Sequence, residues 1–140
     1  MVGLDIPVIP VEHQYIVTEP HPAIQERQDK GLPEMGVLRE SDGSWYMREE
    51  NGGLILGPYE VGAPVCYFDG PDDDSEYELF QEDLERLMPH IESAIARVPA
   101  FAEVGVKKVY NGAIAYTPDG SPIIGPAWDL PNFWLNEGHS

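Results

Sequence analysis

A chain of 140 residues has room for one domain with one sizeable core, since a domain of this size buries about 68–70% of its unfolded surface. Eight Lys and Arg stand against 25 Asp and Glu, a formal charge of −17 that argues against nucleic acid or an anionic membrane surface as the main partner. Apolar residues at 42% and aromatics at 10% are too many for a disordered acidic tail, so the chain reads as globular.

Cys66 is the only cysteine, which rules out an internal disulfide and a paired-cysteine zinc site, and suits a reducing compartment. No apolar run approaches the roughly 20 residues that span a bilayer, and the N-terminus lacks the basic and apolar regions of a signal peptide.

Taken in chain order, the first element is a strand. From Val11 the stretch "VEHQYIVT" alternates, with Val11, His13, Tyr15 and Val17 on one face and Glu12, Gln14, Ile16 and Thr18 on the other. Pro7 and Pro10 limit ladder pairing before it, so the strand is expected to begin near Val11. "PHPAIQERQDKGLPEMG" is polar and rich in turn formers, and reads as a connecting loop with room for one helical turn. Next, Asp42-Gly43 and Asn51-Gly52-Gly53 separate three short runs, 37–39, 45–49 and 54–59, in the pattern of a β-meander. Alternation in the middle run puts Ser44, Tyr46 and Arg48 on one face, opposite Trp45 and Met47.

"FDGPDDDSEYE" carries three consecutive aspartates, a run that reads as a solvated loop because calcium binding needs spaced ligands and a distal Glu. Between Leu79 and Val98 the residues Phe80, Leu84, Leu87, Met88, Ile91, Ile95 and Val98 recur at helical spacing. Pro89 falls mid-run, where it would cost about 3 kcal/mol inside a helix, so two helices meeting at Pro89 are expected, the second ended by Pro99. The last third returns to strands at 106–110, 113–117, 123–124 and 133–136, with Pro118-Asp119-Gly120 as a turn. Strands, helices, then strands again predict an α+β domain on a mostly antiparallel sheet, with a helical pair.

Residue by residue, chemistry alone leaves several readings open. His13 reads as a hydrogen-bonded histidine on a half-buried strand, because a lone histidine carries no motif, and Tyr46 as an ordinary strand tyrosine. Tyr59 suits either a cavity wall or a cross-strand packing role. Arg48 and Arg39 suit a carboxylate clamp, and Arg48 equally suits a surface ion pair. His21 and His90 read as surface or cap residues. The four histidines lack metal-ligand spacing, so no metal is expected. Trp45, Trp128 and Trp134 read as packing aromatics.

Five segments in order, "PVIPVEHQYIVTE", "VLRESDGSWYMREENGGLILGPYE", "ELFQEDLERLMPHIESAIARVPAFAEVGVKKVYNG", "YTPDGSPIIGP" and "NFWLNEGHS", resemble the FAD-dependent amine oxidoreductases related to D-amino acid oxidase, in the sarcosine and dimethylglycine dehydrogenase branch. The resemblance covers nearly the whole chain. It implies that residues 1–140 are the substrate-binding part of such a domain plus the start of the return to the FAD domain. It also implies that His13 and Tyr46 are catalytic and face the substrate, and that Gly138, His139 and Ser140 contact the cofactor; beside them, Tyr59 as a cavity wall and Arg48 as a carboxylate clamp are the expected substrate-binding residues. Asn136 and Glu137 depart from the family's small or apolar residues there.

No G-x-G-x-x-G follows an initial strand, the place where FAD pyrophosphate would be held. The expectation is therefore a fragment, a split product or a decayed copy that alone binds FAD weakly or not at all. The complete enzyme would oxidatively demethylate N-methylglycine-type amines, dimethylglycine or sarcosine, by hydride transfer to FAD. Alternatives are a non-catalytic acidic α+β binding module and one half of a split flavoenzyme. Expected partners are a small N-methylated amino acid and a chain carrying the remaining FAD-binding part, with no nucleic acid and no membrane. The expected location is the cytoplasm, or the mitochondrial matrix for a eukaryotic parent.

Overall fold

Residues 2–76 and 78–140 are described in a computed structural model, and they divide into two units. The larger unit comprises His13–Gly62 and Leu79–Asn111; the smaller comprises Met1–Glu12, Ala63–Glu78 and Gly112–Ser140.

The larger unit is built on a five-stranded sheet. Its strands are β1 (Ile9–Thr18), β2 (Leu38–Glu40), β3 (Trp45–Glu50), β4 (Gly53–Pro58) and β5 (Val106–Tyr116), in the order β2-β3-β4-β1-β5. To this unit β1 and β5 contribute residues 13–18 and 106–111. The predicted meander is present as β2, β3 and β4, each antiparallel to the next. Asn51 and Gly52 both take positive φ, 48° and 78°, as the two-residue turn joining β3 to β4 requires. β1 then lies antiparallel to β4, with Ile16 opposite Leu56 and Val17 opposite Ile55.

Period-two alternation sends Ile16, Trp45, Met47, Leu54 and Leu56 to one face, where they form the core with Ile24, Leu87, Ala94 and Phe101. Two helices and a 3-10 turn supply the remaining core residues: α1 (Pro22–Asp29) contributes Ile24, α2 (Leu84–Arg97) contributes Leu87 and Ala94, and the turn Pro99–Glu103 contributes Phe101. Gln14, fully buried on the same face, ties β1 to the start of α2: its Oε1 accepts from the Asp83 backbone N–H at 2.7 Å. Beside it the Glu60 carboxylate is held by the Arg86 guanidinium at 2.7 Å. A hydrogen bond of 3.0 Å from the Trp45 indole to Ser93 Oγ fastens α2 to β3.

Three sequence expectations need correction. The stretch after β1 forms two turns of helix instead of a loop: His21 caps it by accepting from the Ala23 N–H, and Pro22 takes the first helical position. Only Ile24 of this helix is buried, so there was little apolar periodicity to find. Pro89 does not divide α2, which runs unbroken from Leu84 to Arg97, and residues 79–83 are not helical. Its apolar face (Leu87, Ile91, Ala94, Ile95) packs on the core continuously across the proline, which offsets the lost backbone hydrogen bond. Strands expected at 106–110 and 113–117 are one strand, β5. Asn111 is buried, donates from Nδ2 to the Gln81 carbonyl at 2.8 Å and accepts at its own carbonyl from Phe80, so Asn111-Gly112 stays extended instead of turning.

The smaller unit contains a two-stranded antiparallel sheet of β6 (Ile123–Pro126) and β7 (Trp134–Glu137), with Gly125 opposite Leu135. Leu135 is buried, while Trp134, one residue out of phase, is 71% exposed, and Trp128 is 53% exposed. Of the three tryptophans expected to pack, only Trp45 does so within its unit. The predicted turn is present: Asp119 Oδ1 accepts from the Ser121 N–H at 3.0 Å, and Gly120 takes φ 72°.

Candidate active site on the sheet face turned away from the helices

The alternation that buries Gln14 and Ile16 turns His13, Tyr15 and Val17 to the other face of the sheet, as the sequence predicts. Tyr46 and Arg48 of β3 face the same way, since Trp45, Met47 and Glu49 are the buried set. Register then adds neighbours: Arg39 stands directly opposite Tyr46 on β2, and Gly57 opposite Tyr46 on β4. Continuing the β1–β4 register brings His13 to Tyr59, just beyond β4.

The rings meet as that register requires. The His13 and Tyr59 centroids are 6.4 Å apart, those of Tyr46 and Tyr59 are 5.9 Å apart, and the Arg39 guanidinium lies 5.1 Å above the Tyr59 ring. A cation over a tyrosine face is attracted by the ring quadrupole, so Arg39 is steered to this cluster. Among the described residues, no protein group hydrogen-bonds the His13 ring or the Tyr46 and Tyr59 hydroxyls. His13 is therefore not a satisfied core histidine. Burial pulls its pKa below the ordinary 6.5, and the nearby Glu60 carboxylate partly opposes this, so the ring is a neutral imidazole at pH 7. Burial first, and then Tyr59, push the Tyr46 hydroxyl above 10; it stays protonated and is a donor.

Arg48 is differently placed. Its guanidinium donates to the Glu50 carboxylate and to the Glu49 carbonyl, so its charge is already matched. Arg39 is the guanidinium beside the ring cluster. Gly57 is a contributor that the sequence reading missed: a Cβ there would lie 2.2 Å from the Tyr46 ring, so only glycine lets the tyrosine lie across β4. Its signal was a glycine inside a strand, which marks close approach.

In the smaller unit, Gly138 is buried with φ 72°, and a Cβ there would meet the Thr117 methyl at 2.3 Å. His139 Nε2 lies 2.7 Å from Asn136 Oδ1, and Ser140 is exposed. Gly138 thus permits close packing on Thr117.

The larger unit is thus an α+β unit whose sheet is covered by helices on one face and carries a His–Tyr–Tyr–Arg cluster on the other. Over residues 1–140 the sequence matches the family of FAD dependent oxidoreductases, and the chain belongs to that family. It is 37% identical over 143 residues to the mitochondrial dimethylglycine dehydrogenase of Mus musculus, a match covering 99% of this chain and 16% of that protein. To the mitochondrial sarcosine dehydrogenase of Homo sapiens it is 33% identical over 138 residues, covering 99% of this chain and 14% of that protein. Among solved structures, L-proline dehydrogenase from P. horikoshii superposes with a TM-score of 0.67 at 22% identity, over 99% of this chain and 32% of that one, which shows a shared fold.

The family's cofactor can be tested against the described residues. Flat, partly apolar rings with unspent donors and acceptors, as in the His13–Tyr46–Tyr59 cluster, fit the flat ring end of FAD. Its pyrophosphate finds no comparable cradle among the described residues. The first N–H groups of α1 are capped by His21, with Glu103 at 3.5 Å behind it, and those of α2 by the Asp83 carboxylate, which repels phosphate.

Proposed function

We propose that this chain supplies the substrate side of a flavin-dependent oxidoreductase that demethylates small N-methylated amino acids of the dimethylglycine and sarcosine class. The names of the related dehydrogenases support the substrate class. The observation that carries the residue roles is the cluster of His13, Tyr46 and Tyr59, unspent in hydrogen bonding, with Arg39 over its edge.

An amine can lose hydride from the adjacent carbon only when its nitrogen lone pair is free. Bound FAD supplies the oxidant that accepts this hydride. Neutral His13 takes the proton from the substrate ammonium, turning N–H⁺ into a free lone pair and imidazole into imidazolium. Tyr46 donates a hydrogen bond that orients the amine or the carboxylate. The faces of Tyr46 and Tyr59 favour a methylated ammonium by cation–π attraction as it arrives. Arg39, opposite Tyr46, grips the substrate carboxylate in a bidentate pair in place of Arg48. In this reading Gly138, His139 and Ser140 approach the cofactor through backbone groups, and a partner carrying the FAD-binding part holds its pyrophosphate.

The test uses a FAD-loaded protein that carries this sequence. Anaerobic addition of dimethylglycine or sarcosine should bleach the flavin absorbance. His13→Asn should slow the bleaching by a factor on the order of 10² or more, with the loss confined to the chemical step. Arg39→Met should chiefly raise the substrate concentration needed. Flavin that neither amine bleaches would sink the reading.

A further inference from the structure

Five of the eight cations are matched by carboxylates within the chain: Arg27 by Glu49, Lys30 by Glu26, Arg48 by Glu50, Arg86 by Glu60 and Arg97 by Glu40. The other three, Arg39, Lys107 and Lys108, have no ion-pair partner among the described residues. In a chain of net charge −17, carboxylates are abundant, so three cations standing without one are a minority. Two of these, Lys107 and Lys108, line a single cavity of about 450 Å³ together with Tyr15, Arg48, Ile55 and Tyr110.

The cavity lies on the same sheet face as the His13 cluster, one step along the strands. Tyr15 and Tyr110 stack at 4.9 Å, and the Lys108 ammonium sits 4.3 Å above the Tyr110 ring. The single carboxylate in its wall, Glu50, has both oxygens occupied, one by Arg48 and the other by Asn51 Nδ2 at 2.7 Å. Burial first, and then Tyr110, raise the Tyr15 hydroxyl above its ordinary 10, so the phenol is available to donate. What remains is an aromatic-walled cavity with unspent positive charge, in the size range of small-molecule sites, roughly 300–1,000 Å³.

We infer that this cavity is an anion-binding site, separate from the amine site, for a small organic ligand bearing carboxylate or phosphate groups and an apolar body. Lys107 and Lys108 meet the anionic oxygens as point charges, the phenols donate to them, and Ile55 and the ring faces take the apolar part.

Amide chemical shifts of the 140-residue chain, followed during separate titrations with succinate and inorganic phosphate at constant ionic strength held with chloride, test this. Saturable shifts are expected at Tyr15, Val17 and 107–110. Tighter succinate binding assigns a carboxylate ligand, and tighter phosphate binding a phosphate ester. Lys107 and Lys108 are exposed, so the Lys107→Gln/Lys108→Gln double variant should fold and should weaken binding at least tenfold. Lys30→Gln, which removes an exposed cation elsewhere, should leave binding unchanged. The inference is overturned if neither anion gives saturable shifts, if chloride alone reproduces them, or if Lys30→Gln weakens binding as much as the double variant. The readout is binding without turnover, so it stands or falls independently of the amine-oxidation reading.

Discussion

At the scale of single residues, His13 shows how a one-residue phase decides chemistry. Its neighbours in sequence, Glu12 and Gln14, face the other way, and fully buried Gln14 spends its amide on structure. His13, turned outward, is left with a free imidazole. Its depressed pKa has a stability consequence with a definite sign. Below pH 6.5 the unfolded chain takes up a proton at this residue more readily than the folded chain does. The His13 contribution is therefore intact above 6.5 and is lost as pH falls from 6.5 through the lower folded value. Histidine ring signals followed by NMR should give a His13 midpoint below 6.5. In urea melts, His13→Gln should lose less stability than the parent between pH 6.5 and pH 5. An equal acid response in both would show that His13 is not the group responsible. The second residue-scale consequence concerns Gly57. Gly57→Ala places a methyl where the Tyr46 ring lies, so the ring must swing off β4. This variant should fold yet show altered Tyr46 and Tyr59 ring resonances, and in a FAD-loaded protein it should lose activity comparably to Tyr46→Phe.

At the scale of elements, the strands were legible because alternation is a local property. β1, β3 and β4 follow their predicted phases to within two residues at each end, and the Asn51-Gly52 turn was readable because few other residue pairs tolerate two successive positive φ values. The helices were less legible, and for opposite reasons. α1 buries only Ile24, so its cap chemistry, His21 followed by Pro22, was almost its only signal. α2 has strong periodicity, but the intrinsic penalty of Pro89 suggested a break that tertiary packing overrules. That argument predicts a gain: Pro89 is exposed, and Pro89→Ala restores a backbone N–H to the helix interior without disturbing the core. Chemical denaturation should show the variant to be more stable, by up to about 3 kcal/mol. A loss of stability would mean that the proline ring itself packs usefully.

At the scale of the molecule, charge and helix capping argue together. A net charge of −17 repels the FAD pyrophosphate, and the two helix N-termini that could have attracted it are capped by His21 and Asp83. The purified 140-residue chain should therefore carry little FAD. Visible flavin absorbance at close to one equivalent after reconstitution and gel filtration would contradict this.

The one-dimensional pattern by itself determined the strand faces, the meander, the acidic character and the family resemblance. Each of these depends on residues close in sequence or on ordered motifs, and period-two geometry converts them directly into sides of a sheet. Strand order and register decided the rest. Only pairing across strands sets Arg39 opposite Tyr46, brings His13 to Tyr59 and lays Tyr46 over Gly57, and only side-chain partnering commits Arg48 to Glu50 while leaving Lys107 and Lys108 unmatched. Apart from the Arg48–Glu50 pair, two residues apart, these contacts join residues on different strands or, for Tyr59, just beyond one, and their energies depend on distance in space, a quantity that the linear order of residues does not contain.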